Sequence, residues 1–228
     1  MGNVDPSQFF AICFVIFFAI GLHEYAHCKV ADMAGDPTPG IYGRVTLNLT
    51  KHFDPFGTVM MFISALSGYG IGWGKPAPIN PKRMANPRWD TFAAVIAGPM
   101  TNFVQAIIYG LLFRVLIVPG VVSLKTVPGL IIFEGVLLNL TLCFFNLVPI
   151  APLDGHWLIG QLLPDKQQYY WYKYSRAYGP FLLLGLVLMS QYMARQGQSG
   201  FLFAIIDKPV FYFFKTLTGL PLPTLEAF

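Results

Sequence analysis

Two histidines and one glutamate lie close together near the end of an apolar run, where residues 23–27 read H-E-Y-A-H. On a helix, His23 and His27 lie one turn apart on the same face, so both imidazoles can bind one divalent metal ion, usually zinc. Glu24 is the neighbour of His23 and can take a proton from water at the metal without being a ligand itself. We therefore predict that the two histidines bind zinc and that Glu24 is the general base.

The apolar surroundings of these residues strengthen this interpretation. Charged side chains such as Asp, Lys and Arg cost about 2.5–3.5 kcal/mol each in the middle of a membrane span, so ionisable residues there are rare and usually functional. The alternative is a helix that presents polar residues to a neighbouring helix without further function. The energetic cost makes this alternative the weaker one.

A catalytic zinc ion usually has three protein ligands and one open position, so a third ligand must come from elsewhere in the chain. Asp154 is the best candidate, within residues 146–155, which read N-L-V-P-I-A-P-L-D-G. The alternative is that Asp154 caps a helix after a turn. Loop charge places Asp154 and the histidines at a similar depth, and we therefore predict that Asp154 completes the site for a single zinc ion per chain.

The same stretch contains two prolines that interrupt a helix before the aspartate. Pro149 and Pro152 free backbone carbonyls, which in a membrane must be covered or line a cavity. These carbonyls could bind an extended peptide, or the kink could serve packing alone. Asn146 could donate its amide to a substrate backbone, or it could satisfy the broken turn.

These residues must be positioned by membrane-spanning helices. The chain has 228 residues, of which 55% are hydrophobic and only 11% are charged. We predict an all-α integral membrane protein, a multi-span bundle of about four to six transmembrane helices in a single domain over residues 1–228. The candidate spans are 9–30, 89–116, 130–150, a shorter run at 180–193, and a run at 201–214 that is weakened by Asp207, Lys208 and Pro209.

The distribution of basic residues orients these spans. Residues 1–28 contain no Lys or Arg, whereas basic residues follow the first span and precede the second. The positive-inside rule then places the N-terminus outside, residues 29–54, 72–90 and 164–176 in the cytoplasm, and 117–129 outside. We therefore expect a multi-pass protein of the cell membrane with its active site near the cytoplasmic face.

The apolar segment 56–71 has basic residues on both sides, Lys51 and Lys75. Both flanks should then be cytoplasmic, which a single span cannot achieve. We predict a re-entrant or short extended segment after the first span, covered by protein or lining a cavity.

The sequence also argues against some classes of partner and bond. The net charge is +4, and the basic residues are scattered rather than arranged in a stripe suited to nucleic acid. The expected surroundings are instead the lipid bilayer. Cys13, Cys28 and Cys143 form no close pair, so we expect buried thiols rather than disulfides.

Five further polar or small residues carry weaker signals. His52 is in a polar segment and is interpreted as a surface histidine in preference to an auxiliary residue of the site. His156 follows the predicted aspartate ligand by two positions, so it should face away and be structural or support the ligands. Gly98 suggests close helix packing. Asn102 is interpreted as a link between helices, with a hydrogen bond to the site as the alternative, and Glu134 is too far along its span to be a ligand.

Three motifs together resemble a known family. The segments H-E-Y-A-H at 23–27, A-G-P-M-T-N at 97–102 and N-L-V-P-I-A-P-L-D-G at 146–155 occur in this order within apolar segments. They resemble the site-2 protease family of intramembrane zinc metalloproteases, peptidase family M50. Segments 43–48, 52–58 and 72–81 are similar to the compact bacterial and archaeal branch that lacks a PDZ domain.

The resemblance implies specific roles for residues of this chain. It implies that His23, His27 and Asp154 bind zinc and that Glu24 is the general base. It also links Asn146 and Pro149 to substrate binding. The implied substrate is a membrane protein with a transmembrane segment.

We therefore predict an intramembrane zinc endopeptidase that hydrolyses peptide bonds within or near transmembrane segments. The alternative is a non-catalytic metal-binding membrane protein or a metal transporter. A transporter needs polar groups that lead across the membrane, often in paired halves. Here the ionisable residues gather at one depth, no repeat is visible, and the predicted base is present.

Overall fold

The computed structural model describes residues 5–67, 72–197 and 200–220. Within these residues there are helices and loops but no extended strand, and the all-α prediction is confirmed. The helices are α1 (Pro6–Met33), α2 (Thr38–Ile41), α3 (Pro55–Ser67), α4 (Pro87–Leu112), α5 (Val127–Asn146), α6 (Asp154–Leu162), α7 (Asp165–Arg195) and α8 (Phe201–Thr218). Short 3₁₀ turns occupy Leu49–His52 and Pro81–Arg83, and α4 continues as a π-helical turn over Phe113–Ile117.

Four of these helices are long and apolar enough to cross a membrane: α1, α4 with its π-helical extension, α5 and α7. The predicted multi-span bundle is therefore confirmed. One boundary differs, because α7 begins at Asp165 and not near residue 180. Residues 165–179 are rich in Gln, Lys and aromatic side chains, which favour or tolerate a helix while lowering its hydropathy. Hydropathy therefore identified only the second half of this helix.

Two of the spanning helices begin at clear capping residues. The Asp5 carboxylate accepts a hydrogen bond from the Ser7 amide at the start of α1, with Pro6 as the first helical residue. At the start of α5 the Thr126 side chain accepts from the Gly129 amide. These bonds satisfy amide groups that a helix cannot pair internally.

Helices α1, α4 and α5 form the centre of the bundle. Small side chains on α1, including Ala11 and Ala19, are fully buried, as are Ala94 and Ala106 on α4. Without large side chains between them the helix backbones can approach closely, as is usual in membrane bundles. Close approach lets polar groups on the three helices reach one another.

Helix α8 packs its buried face against α5. Leu202, Ile206, Val210 and Phe214 form a buried cluster with residues of α4 and α5. α8 has 18 residues and is not among the four spanning candidates, since it carries Asp207, Lys208 and Lys215. It completes the core on the side away from α1.

Helix α3 has the form expected of the re-entrant segment. Its 13 residues extend about 20 Å, which is too short for a hydrocarbon core of ~30 Å. The Lys75 amide donates to the His52 carbonyl at 2.8 Å, and Phe53 pairs with Gly74 in an antiparallel bridge. The chain therefore leaves and returns at the same place, although residues 68–71 lie outside the described residues.

Contacts between the loops show which helix ends lie together. The Ala85 amide donates to the Ala34 carbonyl at 3.2 Å, and Arg88 pairs with Asp165 at 2.6 Å. The end of α1 and the starts of α4 and α7 therefore share one end of the bundle. The loop that contains Lys125 connects the end of α4 to the start of α5 and lies at the other end of the bundle.

This arrangement predicts the accessibility of single cysteines in a chain whose native cysteines are replaced by alanine. Arg83→Cys and Lys166→Cys should react alike with a membrane-impermeant thiol reagent, because both lie at one end. Lys125→Cys lies at the other end, so in intact cells it should be labelled if the other two are protected and protected if they are labelled. Labelling is measured on intact cells and on permeabilised cells.

The permeabilised cells serve as the control, because all three positions are exposed and should then be labelled. If residues 83 and 125 were labelled from the same side of intact cells, this arrangement of the spans would be wrong.

Candidate metal centre

Three side chains that are far apart in sequence converge between α1 and α6. The Nε2 atoms of His23 and His27 lie 3.0 Å apart. Oδ2 of Asp154 lies 3.2 Å from His23 Nε2 and 3.4 Å from His27 Nε2. Within the part of the chain that the structure describes, these three side chains are the cluster that could hold a metal ion. The structure therefore brings together the three ligands predicted from the sequence.

The second nitrogen of each imidazole has an oxygen partner on α4. His23 Nδ1 lies 2.6 Å from Asn102 Oδ1, and His27 Nδ1 lies 2.8 Å from the Ala94 carbonyl. The Asn102 amide is oriented because its Nδ2 donates to the Ala19 carbonyl at 3.1 Å. Both Nδ1 atoms therefore carry the hydrogen, and both Nε2 atoms present lone pairs.

Two imidazole lone pairs and a carboxylate oxygen repel one another at these distances unless a cation lies between them. Zinc binds nitrogen and carboxylate oxygen at 2.0–2.2 Å, and in a tetrahedral site such ligand atoms are roughly 3.3 Å apart. The observed separations of 3.0, 3.2 and 3.4 Å agree with this spacing. Asp154 Oδ2 is buried and has no hydrogen-bond partner among the described residues. These residues fit a zinc ion.

Glu24 lies beside this group and is not part of it. It lines the same cavity as the three candidate ligands. Its Oε2 atom is buried and has no hydrogen-bond partner among the described residues. A carboxylate in this position is available to exchange a proton with a molecule in the cavity, and the role of general base stays a prediction.

The short connection between α5 and α6 places Asp154 at the site. Asp154 is the first residue of α6, the capping position is taken by Leu153, and the carboxylate faces the histidines. The alternative reading of Asp154 as a helix cap is therefore wrong. The next residue, Gly155, lies against the Leu147 and Val148 carbonyls, so a larger residue would push α6 away from the end of α5.

A cavity of about 460 Å³ opens over these residues. Most of its remaining lining is apolar, including Ile20, Trp73, Val95, Leu142, Phe145 and Trp157. A site of this kind, apolar with a few convergent polar groups, is the usual form of a substrate-binding pocket.

The two predicted substrate-binding residues differ in position. Asn146 lines the cavity, and its amide donates to the Leu142 carbonyl one turn earlier at 3.0 Å. It therefore satisfies its own helix in this structure. Pro149 is exposed and is not among the lining residues, whereas Pro152 is. The substrate roles of Asn146 and Pro149 stay predictions.

The other two histidines are buried, and one prediction about them was wrong. His52 was interpreted as a surface residue, but it is 0% exposed because it pairs with Arg44 and Thr46. His156 is packed among the rings of Trp157, Trp171 and Tyr172. Burial, with the nearby positive charge of Arg176, lowers the pKa of His156 to about 4. His156 is thus a neutral packing residue at physiological pH.

Asn102 and Gly98 contribute more to the site than the sequence suggested. Asn102 links α1, α4 and α5 as predicted, since it also donates to Asn139 Oδ1 at 3.0 Å, but it orients His23 as well. A Cβ atom at Gly98 would collide with His27 Nε2 and His23 Cε1. The glycine therefore leaves room for both imidazoles against α4.

Comparisons with known proteins agree with this geometry. Residues 9–184 match the model of peptidase family M50. The chain belongs to this family. The M50 chain is 39% identical over 146 residues to a Bacillus subtilis (strain 168) protein named "Putative zinc metalloprotease YwhC". This match covers 63% of the M50 chain and 64% of the relative, so it spans less than two thirds of the relative's length. No solved structure matches the M50 chain significantly.

Gly98 gives a direct test of the space needed by the imidazoles in this M50 chain. Gly98→Ala should weaken zinc binding at least ~10-fold, because it displaces the ligands themselves, and loss of an outer partner already costs ~10–100-fold. Zinc content is measured after dialysis against chelators of graded affinity.

Gly185→Ala is the matched control. No atom lies within 4 Å of the position its Cβ would occupy, so its zinc content should equal that of the parent. Equal zinc affinity in Gly98→Ala and the parent would contradict the placement of the imidazoles.

Asn102 tests the orientation of His23. Asn102→Ala removes the acceptor for His23 Nδ1, so zinc affinity should fall ~10–100-fold. The measurement is a competition titration with a zinc-binding dye. Asn86→Ala removes an exposed amide that makes no side-chain capping bond and should leave affinity unchanged. A parent-like affinity in Asn102→Ala would show that this hydrogen bond does not orient the ligand.

Proposed function

We propose that this chain is an intramembrane zinc metalloendopeptidase that hydrolyses peptide bonds within or near transmembrane segments of other membrane proteins. The proposal rests on one observation above all. His23, His27 and Asp154 converge beside Glu24, in a cavity between apolar helices of an M50 family chain.

The chemistry follows from the roles of the individual residues. His23, His27 and Asp154 would hold one zinc ion, which when bound activates water and polarises the carbonyl of the scissile bond. Glu24 takes a proton from the attacking water and transfers it to the leaving amine. Its buried Oε2 has no competing hydrogen bond among the described residues, which supports this role.

The lining of the cavity supports an apolar peptide as substrate. A transmembrane helix hides its amides in internal hydrogen bonds, so it must unwind locally before a peptide bond reaches the site. The non-helical segment 72–80 and the proline-containing connection 147–153 border the cavity and can bind an unwound chain. Asn146, the last residue of α5, and Pro149, within the second of these segments, would contribute to substrate binding.

The distribution of basic residues supports a location in the cell membrane with several spans and the candidate site near the cytoplasm. Lys29 and Arg88 lie at the end of the bundle nearest the candidate metal centre. Lys125 alone occupies the loop between α4 and α5. Positive residues accumulate on the cytoplasmic side of membrane proteins.

A metal-binding protein without catalysis, or a metal transporter, is the alternative. The three residues suited to a metal lie together at one place in the bundle and do not form a path across it. Glu24 lines the same cavity as a possible base, which metal storage or transport would not require. The enzyme is therefore the proposal that accounts for all four residues.

Two substitutions separate the ligand from the base. Glu24→Gln keeps the shape of the side chain and should retain zinc, while cleavage falls ~10²–10⁴-fold or more because the proton acceptor is lost. Asp154→Ala should lose both zinc and activity, because two protein ligands are fewer than the three usual for catalytic zinc. Zinc per chain and cleavage of a membrane-segment substrate are measured together in detergent.

Glu134→Gln is the matched control, since Glu134 is a buried glutamate of a spanning helix near Gln8 at the other end of the bundle. It should retain zinc and activity. Loss of zinc in Glu24→Gln with full zinc in Asp154→Ala would reverse the two assignments. Parent-like cleavage by both site variants would exclude the proposed activity.

A further inference from the structure

The segment 72–80 forms one wall of the cavity, although it belongs to no helix. Trp73, Pro76 and Ile79 line the cavity from this segment. Gly74 lies close to Glu24. A Cβ atom at this position would lie 2.8 Å from Ile20 Cγ2 and 3.4 Å from Glu24 Cγ. The wall is therefore in contact with the helix that carries the candidate base.

A backbone in this location has a specific physical difficulty. The amides and carbonyls of an irregular segment near the membrane must be paired by protein or water. Pro76 and Pro78 also lack an amide hydrogen. Side chains from outside the segment must therefore hold it in a single conformation.

Arg44 binds the middle of the segment. Its guanidinium donates to the Lys75 carbonyl at 2.6 Å and to the Pro76 carbonyl at 3.3 Å. Arg44 is only 3% exposed, and no ion pair of Arg44 with a carboxylate is found among the described residues. A buried charge needs hydrogen bonds to offset its desolvation. The main partners of this buried cation are thus the carbonyls of the wall.

His52 supports the same contact. Its Nε2 donates to the Thr46 carbonyl at 3.0 Å, so its Nδ1 is the acceptor for Arg44 Nη2 at 3.4 Å. Burial, together with the Arg44 charge, lowers the pKa of His52, which favours this neutral form. The His52 carbonyl accepts from the Lys75 amide at 2.8 Å.

Asp36 binds the C-terminal end of the segment. This carboxylate is 0% exposed. Its Oδ2 accepts from the Asn80 amide at 2.6 Å, and its Oδ1 accepts from the Thr38 amide at 3.0 Å. The wall is therefore held at its middle and at its C-terminal end by buried, charged side chains that do not line the cavity.

We infer that Arg44 and Asp36 are positioning residues that hold segment 72–80 as a fixed wall of the cavity beside Glu24. The role of this wall in cleavage rests on the proposed function, whereas the conformational order of the wall does not depend on that function. Without either anchor the wall would fluctuate. Substrate would then be placed less well, while the candidate ligands and the base would keep their positions on other elements.

The first experiment measures the order of the wall without any substrate. Amide hydrogen exchange is followed by mass spectrometry on the full zinc-loaded chain in detergent. In Arg44→Met, peptides that cover 72–80 should exchange at least ~10-fold faster, because hydrogen bonds from a charged donor are lost. Peptides of α1 should be unchanged. Lys51→Met removes an exposed cation nearby and should exchange like the parent.

The second experiment measures catalysis in the same variants. Arg44→Met should raise KM for a membrane-segment substrate ~10-fold or more and change kcat by less than ~3-fold, at parent zinc content. The KM of Arg44→Lys should lie between the KM of the parent and that of Arg44→Met, because an ammonium can still donate to one carbonyl. A residue that only stabilises the fold would lower the amount of active protein and leave KM unchanged.

Asp36→Asn carries the test if Arg44→Met does not accumulate in the membrane. It keeps the size of the side chain and can retain the bond to Thr38, but it loses the acceptor for Asn80. Exchange of the 79–80 amides should rise, while Asp32→Asn, a change in a partly exposed aspartate, should have no effect.

The outcomes separate this inference from the proposed function. Parent-like exchange over 72–80 in both Arg44→Met and Asp36→Asn would overturn the inference whether or not the chain is a protease. Faster exchange with an unchanged KM would also overturn it, because the wall would then be held without serving substrate binding. If the parent cleaves no substrate, the proposed function fails, and the exchange result still decides whether the anchors hold the wall.

Discussion

The arrangement of this protein depends on one electrostatic constraint, which is the repulsion between two imidazole lone pairs and a carboxylate in apolar surroundings. These three groups lie within 3.4 Å of one another. Such an arrangement persists when a cation offsets the repulsion and when rigid neighbours keep the groups from turning away. Three features of the bundle meet this second condition: the Asn102 amide, the Ala94 carbonyl and the space at Gly98.

The sequence predicted which side chains converge in the candidate metal centre, because local geometry determines much of it. The spacing of His23 and His27 follows from the pitch of a helix, and their place in an apolar run makes a structural role too costly. Two candidate spans were less well predicted. The polar first half of α7 carries no hydropathy signal, and the run at 201–214 forms α8, which is not among the spanning candidates. The re-entrant α3 followed from the basic residues on both sides of one short apolar segment.

The parts that sequence reasoning missed depend on distant contacts. His52 was taken for a surface residue because polar neighbours usually indicate exposure, yet it is 0% exposed and its ring pairs with Arg44 and the Thr46 carbonyl. No periodicity links Arg44 to a segment 31 positions later. The role of Gly98 beside the histidines was also not predictable from the sequence. A glycine makes room for neighbouring atoms, and those atoms are known only from the folded structure.

The hydrogen bonds from the histidines to α4 also limit how the protein can move. Both acceptors, Asn102 and the Ala94 carbonyl, lie on this one helix, so a slide of α4 along α1 by one turn would remove the two partners together. These two hydrogen bonds therefore couple the position of α4 to that of α1. For the proposed protease, an opening that admits a polypeptide would then come from the elements around these two helices, and the geometry of the candidate metal centre would stay constant while the entrance changes.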